Sequence, residues 1–254
     1  MTIQGNGEKV LLFAHGFGCD QNSWKFIVDA FLDDYKVVLF DYVGSGKSDV
    51  TAYDQKKYST LDGYAQDILD ICKELNLHNV TFVGHSVSSM IGVLAANKEP
   101  FYFSKLIFLG PSPCYINYEG YAGGFEKKDL DSLFEFMESN YLGWSQAMAP
   151  AIMGNKNRPE LGEFLTSSFC STNPEIANQF ARVTFLSDNR QDLNQLQVES
   201  VSLQCQEDII APLAVGEFIQ RNTKNNRLVV MNATGHCPHI SEPKETIELI
   251  KEYI

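Results

Sequence analysis

Six short runs of apolar, often β-branched residues recur along this chain, each ending in a polar or glycine-bearing loop: Lys9 to Ala14, Tyr35 to Phe40, Asn79 to Val83, Lys105 to Leu109, Ser200 to Cys205 and Arg227 to Met231. Runs this short and this uniformly apolar have the pattern of strands buried on both faces. Helical stripes separate them. Thr60 to Leu75 sets Leu61, Tyr64, Ile68, Ile71, Cys72 and Leu75 at spacings of three and four, Met90 to Asn97 reads as helix, and Pro243 to Ile254 reads as an amphipathic helix. Strands that alternate with helices are joined by crossovers, so the expected class is α/β, with a mostly parallel sheet flanked by helices.

The alternation breaks between about Cys114 and Gln195, where strand runs vanish and Phe, Leu, Met and Tyr recur at helical spacing, as in Leu130, Leu133, Phe134 and Met137, then Trp144, Met148 and Ile152. A helical insertion is expected there, over the carboxyl ends of the strands, where such sheets place their sites. The predicted organisation is a core of residues 1–113 and 196–254 carrying a helical lid of residues 114–195. A chain of 254 residues is long enough for such a domain.

A formal charge of −12 argues against a nucleic-acid or anionic-membrane partner, because binding phosphates needs clustered Lys and Arg. Met1 to Val10 lacks the basic and apolar segments of a leader, and no run approaches the length of a membrane span, so a cytoplasmic protein is expected. The six cysteines are widely scattered, without a CxxC pair, and read as reduced thiols. The sequons at Asn79 and Asn232 then have no role.

The run Gly84-His85-Ser86-Val87-Ser88 directly follows the third predicted strand and precedes a helix. A serine hydroxyl is a poor nucleophile at neutral pH; it needs an imidazole to take its proton and an acid to fix the imidazole tautomer. The strand-turn-helix context suits a sharp elbow that projects Ser86, although Ser88 stands where the usual G-x-S-x-G pattern has glycine. His236 falls after the last predicted strand and Asp208 after the one before it, in the chain order expected of such a triad. Glu207 is the neighbouring alternative acid; Asp188 and Asp192 fall in the insertion. His15-Gly16-Phe17-Gly18 follows the first predicted strand, so the N–H groups of Phe17 and Val87 are the expected oxyanion hole.

Two look-alikes are set aside. Gly44-Ser45-Gly46-Lys47-Ser48 imitates a phosphate loop, but Asp41 occupies the position of its first glycine. His236-Cys237-Pro238-His239 has no second ligand cluster, so no metal and no cofactor are expected. His85 reads as a structural elbow residue, His15 as a loop residue near the oxyanion hole and His78 as surface.

Further stretches carry a resemblance: His15-Gly16-Phe17-Gly18-Cys19-Asp20-Gln21, Phe40-Asp41-Tyr42-Val43-Gly44-Ser45-Gly46, Leu61-Asp62-Gly63-Tyr64-Ala65, Gly110-Pro111-Ser112-Pro113-Cys114-Tyr115 and Gly235-His236-Cys237-Pro238-His239. With these the chain resembles, over nearly its whole length, the RsbQ-like α/β hydrolases of bacterial stress signalling, and more distantly the plant karrikin and strigolactone receptors. The resemblance implies an α/β-hydrolase fold with a four-helix lid, and a deep apolar pocket reaching a triad of Ser86, Asp208 and His236. It also implies a PAS-domain serine phosphatase as partner, through which the general stress sigma factor is activated. The side chains Phe125, Phe134, Met137, Trp144 and Phe185 of the insertion are the expected pocket residues, against the alternative that they pack the lid, and only some are expected to face the pocket.

The expected activity is serine-triad hydrolysis of a small hydrophobic ester-like or carbonyl compound. The alternatives are a ligand-sensing signalling protein with slow or vestigial hydrolysis, or a plain carboxylesterase. Haloalkane and epoxide chemistry would need aspartate where Ser86 stands; cofactorless peroxidases and C–C hydrolases share the serine triad.

Overall fold

The computed structural model describes residues 1–254. Seven strands form one sheet: β1 (Thr2–Gln4), β2 (Lys9–Ala14), β3 (Tyr35–Leu39), β4 (Val80–His85), β5 (Phe103–Leu109), β6 (Glu199–Glu207) and β7 (Asn226–Thr234). Their order is β1-β3-β2-β4-β5-β6-β7, parallel except for β1, which pairs antiparallel with β3. All six predicted strands are present. The additional β1 pairs Thr2, Ile3 and Gln4 with Leu39, Val38 and Val37. Three residues at a sheet edge carry too little periodicity to be read as a strand.

The pleat distributes the apolar runs between two faces. Leu12, Ala14, Leu106 and Phe108 point into one core with helices α1 (Leu61–Glu74) and α2 (Val87–Lys98), whereas Leu11, Phe13, Ile107 and Leu109 point into a second with Trp24, Phe31 and Ile250. Helix α1 buries Leu61, Tyr64, Ile68 and Cys72 and exposes Asp62, Gln66 and Asp70. Helix α2 has no polar face and is buried nearly all round, as a helix apolar on every side must be.

Four helices fill the predicted insertion: α3 (Lys127–Ser139), α4 (Tyr141–Met153), α5 (Pro159–Cys170) and α6 (Pro174–Phe185). They share a third apolar cluster, in which Trp144 stacks on Phe169 with ring centroids 5.4 Å apart. The chain closes with α7 (Leu213–Asn222), α8 (Pro238–Ser241) and α9 (Pro243–Tyr253).

Candidate active site

Strand β4 ends at His85 and α2 begins at Val87, leaving Ser86 alone to reverse the chain with φ 56° and ψ −124°. A non-glycine residue in that region is strained and persists only where its surroundings hold it. Here the Ser86 N–H donates to the Leu109 carbonyl at 2.8 Å, anchoring the turn to β5. Gly84 permits the sharp bend, since a Cβ there would lie 2.8 Å from the backbone carbonyl of Ser88.

Strand register shifts between Cys205 and Glu207, and such a bulge re-aims the residues that follow. Asp208 emerges next with its side chain buried. Its Oδ1 accepts the N–H groups of Ile210 at 2.8 Å and Ala211 at 3.1 Å, which leaves Oδ2 to accept Nδ1–H of His236 at 2.7 Å. With Nδ1 protonated, His236 Nε2 accepts the Ser86 hydroxyl at 2.7 Å. The structure thus joins Ser86, His236 and Asp208 in one hydrogen-bonded chain. Glu207 is exposed, and Asp188 is paired with Arg190 at 2.6 Å.

His85 braces this chain from behind. Its Nε2–H donates to the His236 carbonyl at 2.8 Å, and burial, reinforced by His236, pushes its pKa down to about 3. It is therefore neutral and ties the elbow to the histidine loop. His15 is also buried, with its pKa lowered by desolvation. Its Nδ1–H donates to the Gly16 carbonyl at 2.9 Å while Nε2 accepts the Tyr42 N–H at 3.2 Å, which fixes the loop ahead of Phe17. The Phe17 N–H donates to no protein acceptor, and Val87 opens α2, where no carbonyl of its own helix can reach its N–H.

Ser86 lies in the wall of a narrow, mostly apolar cavity, lined also by Phe17, Ile152, Leu165, Phe169 and Phe185 from the apolar side and by Thr184, Cys19 and Cys237. Of the five expected pocket residues, only Phe185 lines it. Trp144 stands one layer back against Phe169 and Phe17, and Phe125 packs on Phe185 with centroids 5.9 Å apart. Phe134 is buried among helices α3 to α6, and Met137 lines a separate groove with Tyr53 and Arg182. The periodicity of α3 reports that these side chains are buried but not against what; they face the neighbouring helices of the insertion.

Sequence reasoning passed over Thr184, whose buried hydroxyl has no protein partner, and Tyr115, whose buried hydroxyl lies beside Ser86. Nothing in the pattern of an amphipathic helix marks Thr184. Cys19 and Cys237 were within reach, because they adjoin the Gly16-Phe17-Gly18 loop and His236. Burial pushes the Cys19 thiol up to about 12 and Cys237 well above the usual range, so neither is a nucleophile at neutral pH.

The phosphate-loop look-alike is a structural turn: Asp41 accepts the Gln21 N–H at 2.8 Å and the Lys47 N–H at 3.1 Å. His239 is fully buried, its ring 4.5 Å from that of Trp24. No group of three or more His, Cys, Asp or Glu side chains is assembled to hold a metal ion, and no helix is long and apolar enough to cross a membrane.

The α/β-hydrolase fold family profile matches residues 9–243. The chain is 39% identical over 256 residues to the karrikin insensitive 2 receptor CA of Petunia hybrida, covering 100% of this chain and 94% of that protein. It is 36% identical over 252 residues to a strigolactone esterase of Arabidopsis thaliana, covering 99% of this chain and 94% of that one. A solved hydrolase from Oleispira antarctica superimposes with a TM-score of 0.97 at 40% identity, over 99% of this chain and 93% of that chain.

Proposed function

The chain belongs to the α/β-hydrolase family, and from that premise we propose that it is a serine hydrolase of small, largely apolar esters, lactones or related carbonyl compounds. The observation that carries this reading is the unbroken hydrogen-bond chain from Asp208 through His236 to Ser86, at 2.7 Å and 2.7 Å, opening onto an apolar cavity.

In this mechanism the Ser86 Oγ forms a bond to the substrate carbonyl carbon as its proton passes to His236 Nε2. The carbonyl oxygen takes the displaced electron pair and is held by the Phe17 and Val87 N–H groups, typically worth about 3 kcal/mol each in the transition state. Asp208 keeps Nδ1 protonated and stabilises the imidazolium. Collapse expels the alcohol, which takes the proton from His236. Water then adds to the acyl group by the same route and frees Ser86.

Residues 114–195 form the lid in this reading, and their apolar underside selects the acyl group or ring. The apolar lining favours a largely apolar substrate. Ser86→Ala is expected to abolish hydrolysis of p-nitrophenyl acetate while the chain still melts cooperatively; turnover unchanged by that substitution would overturn the proposal.

A second reading concerns output. Relatives named as receptors suggest that ligand capture also signals, with slow turnover resetting the cavity. The motifs shared with the RsbQ-like proteins suggest a cytoplasmic PAS-domain serine phosphatase as the partner. A pull-down with such a phosphatase tests this: a complex that depends on ligand supports it, and no complex, together with fast turnover of a metabolite, favours a plain carboxylesterase.

A further inference from the structure

One turn of the lid grips the loop that carries His236. Between α4 and α5 the backbone passes through two left-handed residues, Gly154 with φ 64° and Asn155 with φ 54°. It lies so close to the histidine loop that a Cβ on Gly235 would stand 1.9 Å from the Met153 carbonyl oxygen. The Ile152 carbonyl accepts the His236 N–H at 2.9 Å. Asn155 Nδ2 donates to the Met153 carbonyl at 2.9 Å and to the Thr234 carbonyl at 3.0 Å. Its Oδ1 in turn accepts Arg158 Nη2 at 2.6 Å. Arg158 reaches further along the same loop, to the Ser241 carbonyl at 2.8 Å and the Glu242 carboxylate at 2.6 Å. The turn therefore holds the histidine loop before His236, at His236 and after it.

The loop has few other anchors. Gly235 donates to the Glu207 carbonyl at 2.7 Å, and the His236 carbonyl accepts His85. Gly235 has φ 83°, a conformation that glycine leaves easily, so nothing intrinsic to the backbone keeps the imidazole between Ser86 and Asp208. Small misplacements of a catalytic group are expensive in rate. The Arg158–Glu242 pair is partly exposed and weak by itself; its use here is to hold the Asn155 amide in the orientation that bridges the two carbonyls.

We propose that Asn155, steadied by Arg158, is a positioning residue for His236, so that the geometry of the lid turn sets the reactivity of Ser86. This rests on His236 being the general base. Asn155→Gly removes the amide while keeping a residue that accepts the left-handed backbone, and Asn155→Asp keeps the shape but has no protons to donate. In the full-length chain, both are expected to lower kcat for p-nitrophenyl acetate about tenfold with KM within twofold, and to slow covalent labelling of Ser86 by a fluorophosphonate by the same factor. Arg158→Met is expected to give a smaller loss of the same kind, and it decides the matter where the Asn155 variants do not fold. Wild-type labelling rates in the folded variants, or a change confined to KM, would overturn the proposal alone. A wild-type chain that the fluorophosphonate does not label would overturn the serine-hydrolase reading, and this proposal with it.

Discussion

The Ser88 hydroxyl donates to the His15 carbonyl across 2.5 Å and accepts the Tyr42 hydroxyl at 2.9 Å, binding helix α2 behind Ser86 to the strand end that leads into the Gly16-Phe17 segment. Ser88 is fully buried, so both bonds are made out of water. A glycine at this position would leave two buried groups without a partner. The departure from the usual glycine pattern is thus a compensated one: the hydroxyl fills the space and pairs on both sides.

Ser88→Ala is accordingly expected to destabilise the chain by about 1–3 kcal/mol, the cost of orphaning the His15 carbonyl and the Tyr42 hydroxyl. Turnover should fall as well, because His15 directly precedes the Gly16-Phe17 segment. Urea melts of Ser88→Ala, Tyr42→Phe and the double variant check this. Strictly additive losses would show that the two hydroxyls are not coupled.

Asp208→Asn preserves the size of the side chain but offers His236 an amide that can favour the wrong tautomer. Turnover is expected to fall by roughly 10⁴-fold, the scale of such a substitution in a serine triad. Glu207→Gln, on an exposed side chain one residue away, is expected to leave turnover within twofold. Esterase assays on the pair assign the acid, and a severe loss in the Glu207 variant would reverse the assignment.

Much of this arrangement was legible beforehand, and the boundary is physical. The six buried strands announced themselves because both of their faces are apolar, and the elbow because a strand, a small-residue turn and a helix must follow one another in sequence. Asp208 and His236 were placed by falling just after strands. Contacts that pack helix on helix were not legible: the periodicity that buries Phe134 and Met137 is the same whether they face the cavity or α6. Helix α7 was missed because Leu213 to Asn222 begins after a loop with no cap signal. The hold of Asn155 on Thr234 joins residues far apart in sequence, which no local pattern encodes.

Thr184 lies in the wall of the cavity, 1% exposed, with a hydroxyl that makes no protein hydrogen bond. A helical threonine commonly bonds back to a carbonyl one turn earlier, and this one does not. Thr184→Val keeps the shape and deletes the unpaired group, so it is expected to raise stability by about 1 kcal/mol, or about 2–4 °C in Tm. Differential scanning fluorimetry of the ligand-free chain reads this directly. A loss of stability instead would mean that the hydroxyl is paired in solution.

Three buried histidines, His15, His85 and His239, have pKa values below the ordinary 6.5, in each case because burial disfavours the charged ring, and His85 is pushed down to about 3. In the unfolded chain the same rings protonate near pH 6.5. Below that pH the unfolded state binds more protons, so stability is fully present above pH 6.5 and is lost as pH falls toward the folded-state values. Each ring contributes a slope of about 1.4 kcal/mol per pH unit. Ordinary carboxylates titrate mostly below about pH 4.5; Asp67, which burial pushes up, is shared by wild type and a histidine variant, so the difference between the two from pH 6.5 to 4.5 reads the substituted histidine. His239→Phe tests one of them. Its ring nitrogens have no partner and its ring packs against Trp24 with centroids 4.5 Å apart, so phenylalanine keeps the packing. The urea midpoint of the variant is expected to be no lower near pH 7.5, since two unpaired buried nitrogens are deleted, and the variant is expected to lose less stability between pH 7.5 and pH 4.5. Equal losses in the two proteins would show that His239 is not held neutral by the fold.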